Sequence, residues 1–332
     1  MISISKRLWG HLEGKDVYLI KIENRRGSYV EITNYGATLV SVVTPDKKGV
    51  MGNVVLGFSD LEGYMNDRCY IGSTIGRFGN RIGGACFTMD GVQHQLDAND
   101  QGNCNHSGSA GFNSKVFDID IRESGVTFGL LSKHLEGGFP GNLQVQVIYQ
   151  WTEEDELQIS YIATTDQKTV VSCTSHAYFN LDTGSADVID HELTIDASKR
   201  LAIWADYVPT GLIIPTASLS FKRERIRDKM KVVNDEPSGI NVFYVLNKRK
   251  YPSPACTLSS GRSGRQLKVF TSYPGMMLYT GDFLPKPFAG VALECQHFPD
   301  SPNHTNFPSA VLEPGDTYHH HVYFKFGMNP EV

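Results

Sequence analysis

Alternating apolar and polar positions dominate the chain. In "LQVQVIYQW", every second residue from Leu143 to Trp151 is apolar, and glutamines fill most of the positions between them. Because successive side chains of a strand point to opposite faces, this pattern predicts a half-buried strand. "LQISYIAT" repeats the pattern from Leu157 to Ala163 after the turn-like "EEDE", so we predict an antiparallel hairpin.

Helical periodicity contributes little to the sequence. The chain has 32 glycines and 15 prolines, which interrupt short strand-like runs throughout. The best helical candidate is "SFKRERIRDKM" (220–230), whose charges favour a solvated turn or a short helix. No segment has the composition of a linker, a low-complexity tract or an internal repeat. We therefore predict an all-β fold, a large antiparallel β-sandwich that forms a single domain over residues 1–332.

Charge and cysteine usage narrow the class of partner and the compartment. The net charge of −5 argues against nucleic acid or an anionic membrane as the main partner. The first 17 residues lack the apolar core of a signal peptide, and no run of about 18 apolar residues follows. The six cysteines are not spaced as CxxC, so we expect free thiols in a reducing cytoplasm and no zinc site. They are Cys69, Cys86, Cys104, Cys173, Cys256 and Cys295.

Two segments invite a ligand-binding interpretation but do not support one strongly. "GSTIGRFGNRIGG" (72–84) is rich in glycine, yet it lacks the lysine and the following hydroxyl of a phosphate-binding loop. "YHHHVYFKF" places His319 and His321 on one strand face and His320 on the other. These histidines are half of a metal site or belong to a tolerated terminal strand. The absence of a nearby carboxylate favours the second interpretation, so we expect no metal.

Five polar or aromatic residues stand out in strand-like contexts. "GNRI" offers Asn80 and Arg81, and "NCNHSG" offers His106 beside small residues that let a ligand approach the backbone. "CTSHAYFNL" offers His176, with Tyr178 on the same strand face as a wall for a sugar ring. Each also has a structural interpretation: a hydrogen-bonded core histidine, a core tyrosine, a turn-closing asparagine or a surface-paired arginine.

Glu294 ends the apolar stretch "GVALE" and precedes a loop with three prolines, Pro299, Pro302 and Pro308. We predict that a buried strand delivers this carboxylate to the floor of a cleft. Proline restricts the backbone and removes an amide donor, so the loop would brace the carboxylate as a catalytic base requires. The alternative is a surface glutamate at the edge of a loop.

Taken in order, these motifs resemble the aldose 1-epimerase, or galactose mutarotase, family along nearly the whole chain. The matching segments are "GRFGNRI" (76–82), "NCNHSGSAGF" (103–112), "TSHAYFNL" (174–181), "YTGDFL" (279–284), "LECQHFPDSPNHTNFPS" (293–309) and "LEPGDTYHHHVYFKF" (312–326). The resemblance implies a galactose mutarotase-like supersandwich with a cofactor-free active site in its cleft. It also implies interconversion of the α and β anomers of a free aldose.

Matched position by position, the resemblance makes Glu294 the catalytic base and His176 the catalytic acid. Asn80, Arg81 and His106 fall on sugar-binding positions. Opening a cyclic hemiacetal removes a proton from the anomeric hydroxyl and gives one to the ring oxygen. A glutamate and a histidine can be tuned to share those tasks near neutrality. We expect the two groups to meet across a hollow with room for one pyranose ring between them.

Several positions depart from the family pattern. They are Ser107, Ser175, Asn241, Met277 and Asp282, and the register that places Asn241 rests on a weak motif. We expect these positions to read sugar hydroxyls, with Asn241 and Met277 as substrate-binding residues. An amide in place of a carboxylate adds a donor and removes a charged acceptor, and methionine donates no strong hydrogen bond. The preferred sugar is therefore predicted to differ from galactose and glucose.

Two other functions compete with an epimerase. A non-catalytic sugar-binding or sensing protein could use the same fold, because function depends on the site and not on the architecture. The presence of both His176 and Glu294 favours the enzyme. A hexose-phosphate epimerase needs converging arginines, whereas Arg223, Arg225 and Arg227 are local and alternate with acids. The expected partner is a monosaccharide, and the expected assembly is a monomer or a homodimer.

Overall fold

The computed structural model describes residues 2–123, 125–184, 186–233, 236–248 and 253–329. In chain order, the strands of these residues are β1 (Ser3–Leu12), β2 (Lys15–Glu23), β3 (Tyr29–Thr33), β4 (Thr38–Pro45), β5 (Met51–Asn53), β6 (Thr74–Ile75), β7 (Arg81–Ile82), β8 (Cys86–Met89), β9 (Val92–Gln95), β10 (Cys104–Asn105), β11 (Asp118–Arg122), β12 (Gly125–Ser132), β13 (Leu143–Trp151), β14 (Glu156–Thr165), β15 (Thr169–Val170), β16 (Thr174–Ser175), β17 (Tyr178–Phe179), β18 (Glu192–Ile195), β19 (Ala197–Ile203), β20 (Pro209–Pro215), β21 (Lys222–Arg225), β22 (Lys231–Val233), β23 (Glu236–Ser238), β24 (Asn241–Leu246), β25 (Cys256–Ser259), β26 (Arg265–Thr271), β27 (Gly275–Tyr279), β28 (Val291–Gln296), β29 (Val311–Leu312) and β30 (Tyr318–Met328).

Helical segments are short. The α-helix of the described residues, α1 (Leu61–Met65), is capped by Asp60, whose side chain accepts a hydrogen bond from the Gly63 amide. The 3-10 turns are Gly83–Ala85, Gly108–Ala110, Phe112–Ser114, Glu136–Gly138, Ala217–Leu219, Ile226–Lys229 and Ser301–Asn303. The described residues contain no helix of the length and apolarity that a membrane span needs.

Three large antiparallel sheets build the fold. The nine-stranded sheet has the order β11-β12-β13-β14-β30-β26-β25-β18-β21, and the six-stranded sheet has the order β17-β28-β27-β24-β19-β20. β1 to β5 form a third sheet in sequence order. Side chains from all three sheets, such as Ile20, Val145 and Leu278, belong to one buried cluster. The predicted all-β fold is therefore confirmed.

The hairpin predicted from the alternating pattern is present. β13 pairs antiparallel with β14, and Trp151 lies opposite Leu157 at the turn. Burial along β13 follows the alternation of its sequence, with Leu143, Val145 and Val147 inside. Apolar side chains thus select the inner face of the nine-stranded sheet.

The charged segment 220–230, considered as a turn or a short helix, contains a strand. Residues Lys222–Arg225 form β21 at the edge of the nine-stranded sheet, and a 3-10 turn follows at Ile226–Lys229. Buried Phe221 and Ile226 anchor the segment to the core on either side of the charges. The arginines at 223, 225 and 227 pair with Glu192 or Asp190 on the surface, so they do not converge on a ligand.

β27 and β28 of the six-stranded sheet are buried on both faces, and this arrangement positions the site. On β27, Met276 and Leu278 belong to the main core, whereas Met277 and Tyr279 belong to a second cluster on the opposite face. β28 is buried along its whole length. A strand covered on both sides reads as a continuous apolar run, which explains the "GVALE" stretch. Its one carboxylate, Glu294, faces the second cluster.

Candidate active site

One cavity of about 310 Å³ opens on the face of the six-stranded sheet that lies away from the main core. It is lined by the residues that the sequence analysis named as catalytic or substrate-binding: Asn80, Arg81, His106, His176, Tyr178, Asn241, Met277 and Glu294. These residues come from six separate parts of the chain. The lining runs from fully buried groups such as Glu294 to exposed ones such as Arg68 and Phe283.

Glu294 lies on the cavity floor, near the end of β28. It pairs across the sheet with Met277, and its side chain is almost entirely buried. Burial raises the pKa of Glu294 to about 8, and the positive charge of Arg81 opposes this shift. Oε2 has no hydrogen-bond partner within the described residues, so one carboxyl oxygen is open to a ligand.

His176 lies beside Glu294, between the short strands β16 and β17. Its backbone amide donates to the Ser73 carbonyl at 2.9 Å, and its carbonyl accepts from the Gly72 amide at 3.1 Å. These two bonds fix the residue to the loop that precedes β6. Burial lowers the pKa of His176 to about 4, so the imidazole is neutral in the empty site.

The two proposed catalytic groups are closer together than the sequence analysis expected. His176 Nε2 and Glu294 Oε1 are 3.7 Å apart, which leaves no space for a pyranose ring between them. The expectation that they enclose a ring was wrong. They lie side by side on the floor instead, so a ring must approach edge-on. The hydroxyl oxygen and the ring oxygen of a hemiacetal share one carbon, and adjacent groups suit two such neighbouring oxygens.

His106 completes the polar floor. The Asn80 amide donates to His106 Nδ1 at 3.1 Å, so the neutral ring carries its proton on Nε2. Burial lowers the pKa of His106 well below its usual value, and the proximity of His176 adds to this effect. The ring packs edge-on against that of His176, with the centroids 5.3 Å apart. His106 therefore offers the cavity a hydrogen-bond donor.

A metal ion fits this cluster poorly. One ligand atom each from His106, His176 and Glu294 lies within 4.8 Å of the others, a spacing that a cation could bridge. A metal needs the lone pair of an imidazole nitrogen, however, and Nδ1 of His106 is already occupied by the Asn80 amide. Its remaining nitrogen bears a proton. The donor set thus matches the hydroxyl groups of a sugar better than it matches a cation.

Arg81 is held in place beside the floor. Its Nε donates to Asp100 at 2.8 Å, and its guanidinium lies over the Tyr207 ring, 5.2 Å from the centroid. The backbone amide of Arg81 donates to the side chain of Asn80, whose φ of +67° is tolerated by asparagine. Arg81 thus places a fixed positive charge near Glu294.

The sheet register settles the positions of Asn241 and Met277. Asn241 pairs with Tyr279, and Met277 pairs with Glu294, so both side chains are on the face of Glu294. Tyr178 belongs to β17, which pairs with the edge of β28 that does not pair with β27, and it lies opposite Ala292. Its ring packs against that of His176 at 5.0 Å between centroids and forms a wall of the cavity.

The three other departures from the family pattern, Ser107, Ser175 and Asp282, do not line the cavity, contrary to expectation. Ser107 has a φ of +69°, and its hydroxyl accepts from the Phe78 amide at 2.8 Å. That bond secures a left-handed residue where glycine is the easier choice. Ser175 is buried and pairs with Thr74 in a two-stranded sheet. Asp282 is also not among the lining residues.

The sequence analysis did not identify six other lining residues: Arg68, Cys69, Tyr70, Asn105, Tyr279 and Phe283. Asn105 precedes His106, and Tyr279 and Phe283 belong to the "YTGDFL" segment, so the sequence motifs could have indicated these three as lining residues. Tyr70 had none, because its position depends on a loop with a φ of +57°. Its ring lies 4.6 Å from that of His106 and 5.8 Å from that of His176.

Comparisons with known proteins agree with this geometry. The family model described as aldose 1-epimerase matches residues 18–325. Galactose mutarotase of Rattus norvegicus is 34% identical, with 99% of this chain and 100% of the relative covered. Aldose 1-epimerase of Escherichia coli (strain K12) is 32% identical, with 92% and 94% covered.

Solved structures show the same fold. An aldose epimerase homologue from C. elegans superposes with a TM-score of 0.89 at 29% identity, covering 93% of this chain and 98% of its own. Galactose 1-epimerase from Lactobacillus acidophilus NCFM gives a TM-score of 0.87 at 26% identity, covering 99% and 100%. The sandwich described above is therefore shared over essentially the full length of these proteins.

Proposed function

The chain belongs to the aldose 1-epimerase family, and from this premise we propose that it interconverts the α and β anomers of a free aldose, with Glu294 and His176 as its acid–base pair. The observation that carries the role assignment is their adjacency on the cavity floor, 3.7 Å apart and almost fully buried. Asn80, Arg81, His106, Tyr178, Asn241 and Met277 surround the sugar in this proposal.

Ring opening needs one proton to leave the anomeric hydroxyl and one to reach the ring oxygen. Carboxylate Glu294 takes the first, and the His176 imidazolium gives the second. The open aldehyde rotates about its bond to the next carbon, and reclosure returns both protons by the reverse steps. The Nε2–H of His106 and the charge of Arg81 are placed to hold the hydroxyls and the ring oxygen. The sugar loses one proton and gains one, and no atom changes its oxidation state, so the step needs no redox partner.

The pKa values of Glu294 and His176 suit both ring opening and ring closure. With a pKa of about 8 on Glu294 and about 4 on His176, the empty site holds one proton, on the carboxyl group. That protonation state is also the one left behind when the sugar is open. Binding the closed sugar must move the proton to His176, and hydroxyl donors and Arg81 both favour the carboxylate. The pair carries one proton throughout.

Activity is therefore expected to depend on pH through the single-proton state of the pair. We expect kcat/KM to be nearly constant between about pH 4 and pH 8, to fall below as His176 also protonates, and to fall above as Glu294 loses its proton. Initial polarimetric rates, corrected for the buffer-catalysed reaction, measure this profile. An activity that keeps rising well above pH 8 would contradict the one-proton pair.

Polarimetry of freshly dissolved aldoses tests the reaction itself. The protein is expected to accelerate the approach to anomeric equilibrium in proportion to its concentration for at least one sugar. A purely binding protein would leave the rate at the buffer value. Galactose, glucose, pentoses and deoxy sugars form the panel: galactose and glucose differ in the configuration of one hydroxyl, pentoses lack the hydroxymethyl group, and deoxy sugars lack one hydroxyl.

The same panel tests the sugar preference. Because Asn241 and Met277 replace the hydrogen-bonding groups common in the family, galactose and glucose are expected not to be the preferred substrates. Asn241→Asp restores a charged acceptor and is expected to raise kcat/KM for galactose relative to the preferred sugar by about tenfold. Asn306→Asp places the same charge outside the cavity and should leave the ratio unchanged. A wild-type preference for galactose would refute this hypothesis.

Compartment and assembly stay predictions. Cys69, Cys86, Cys104 and Cys173 are free thiols, which supports a reducing compartment such as the cytoplasm. We retain a monosaccharide as the partner, a single domain over residues 1–332 and a monomer or a homodimer as the expected assembly.

A further inference from the structure

The three consecutive histidines of β30 lead to a second place where functional groups gather. His319 and His321 point away from the core, whereas His320 points inward, toward the loop that follows β28. There it meets His297, three residues after Glu294. The two Nε2 atoms are 3.2 Å apart. Neither residue lines the cavity that holds Glu294.

The imidazole of His320 is held firmly. Its ring stacks on Tyr273, with the centroids 4.2 Å apart and the planes 10° from parallel. Ser272 Oγ lies 3.0 Å from its Nδ1. A hydrogen bond at the far nitrogen is the arrangement that typically orients a metal-ligating imidazole and fixes its tautomer. Nε2 of His320 is thereby directed toward His297.

One ring nitrogen of His297 has a hydrogen-bond partner and the other has none within the described residues. Its side chain is more than nine-tenths buried, and its Nδ1 has no hydrogen-bond partner within the described residues. The two rings are nearly perpendicular, at 88°, with the centroids 4.9 Å apart. Both line a cavity of about 350 Å³ that also includes Asp316. A ligand entering this cavity meets both imidazoles.

Both imidazoles are neutral at physiological pH, and their Nε2 atoms share a hydrogen bond; a metal ion displaces this hydrogen, and the donor ring then carries its proton on Nδ1. Burial lowers the pKa of His297 to about 4 and that of His320 to about 3, and the proximity of His297 contributes to the second shift. The other titratable groups of this cavity are Asp316 and His319, and Tyr273 and Tyr318 pack against the pair. No positive side chain lines the cavity within the described residues to repel a cation.

We propose that His297 and His320 form a two-histidine site for a divalent transition-metal ion such as Zn²⁺. Tetrahedral zinc with Zn–N bonds of about 2.0–2.1 Å holds two nitrogens roughly 3.3 Å apart. The observed 3.2 Å matches this separation. Ser272 orients one ligand, and the remaining coordination positions face the cavity, where water completes the shell. This site is separate from the epimerase activity.

Titration calorimetry of the full chain with ZnCl₂ tests the proposal. We expect His297→Asn and His320→Asn each to weaken binding at least tenfold, and Ser272→Ala to weaken it by about tenfold. His321→Asn changes the next residue of the same strand, on its opposite face, and should leave the affinity unchanged. Co²⁺, read by its visible absorption, should show a nitrogen-ligated spectrum that the His320→Asn protein lacks.

Two controls keep the test decisive. Thermal unfolding with and without Zn²⁺ should show a rise in the melting temperature for the wild type and no rise for a folded His320→Asn protein. Glu294→Gln should bind Zn²⁺ as tightly as the wild type. Equal Zn²⁺ affinity in the wild type and His320→Asn would overturn the site. So would binding that Glu294→Gln removes, because the ion would then lie in the catalytic cavity.

Discussion

Replacing Glu294 with glutamine is expected to lower kcat/KM for mutarotation by about 10²–10⁴-fold, the usual contribution of general acid–base catalysis. The carboxamide has the same shape but neither takes nor gives the proton of the anomeric hydroxyl. Among the described residues that line the cavity, no other is a carboxylate, and Asp100, outside this lining, is paired with Arg81 at 2.8 Å. Polarimetric rates at pH 7 with the preferred sugar measure the loss.

Stability separates a catalytic loss from a folding defect in this variant. The pKa of Glu294 is raised on folding, so the carboxyl group destabilises the protein above its unfolded pKa, increasingly until about pH 8. Glutamine removes that penalty. The variant should therefore be at least as stable as the wild type at pH 7. Glu313→Gln, on the surface, is the matched control and should retain full activity.

Two outcomes would contradict the assignment of Glu294 as the catalytic base. One is full activity in Glu294→Gln, which would leave the family membership intact but remove its proposed base. The other is an unchanged upper limb of the pH profile in a partly active variant. In that case another group, not Glu294, would control the loss of activity above pH 8.

The strands were predictable from the sequence because alternation reports burial directly. β13 and β14 alternate cleanly, since one face of their sheet packs on the core and the other meets solvent. α1 was not predicted, because five residues are too few to display a helical period. The secondary structure of the segment around Arg223 was also ambiguous. Its buried residues, Phe221 and Ile226, lie outside β21, so the strand itself shows no alternation of apolar and polar residues.

The site was predictable only through the ordered motifs. His176 and Glu294 are 118 positions apart, and only the pairing of β17 with β28 and of β16 with β6 brings them together. Local patterns do not encode such distances. For the same reason, the separation of the two groups was misjudged, and Tyr70 was missed. The position of Tyr70 depends on Asp67, whose carboxylate accepts from the amides of Cys69 and Ile71.

The motif "GRFGNRI" contains two arginines, and they have different tasks. Arg81 faces the cavity, whereas Arg77 is 1% exposed and points into the protein. Nη1 of Arg77 donates to the carbonyls of Pro140 and Gly141 at 2.7 and 3.0 Å. Nη2 donates to the carbonyl of Ser132 at 3.0 Å. One side chain thus satisfies buried backbone acceptors at both ends of the connection between β12 and β13.

Arg77→Met is consequently expected to destabilise the protein by about 3–5 kcal/mol, because several buried carbonyls lose their donor at once. Methionine fills a similar volume, so the loss reports hydrogen bonding more than packing. Chemical denaturation measures it. Arg122→Met is the control, since Arg122 is exposed and pairs with Asp120 within its own strand, and it should change stability by less than about 0.5 kcal/mol.

Arg77→Lys distinguishes charge from geometry. Lysine keeps the positive charge but lacks the planar fork that reaches acceptors on both sides. We expect it to recover only a small part of the lost stability. Near-complete recovery would mean that the charge, not the set of hydrogen bonds, stabilises this connection. A loss in Arg77→Met no larger than in Arg122→Met would show that water satisfies the carbonyls equally well, and that Arg77 does not stabilise the connection between β12 and β13.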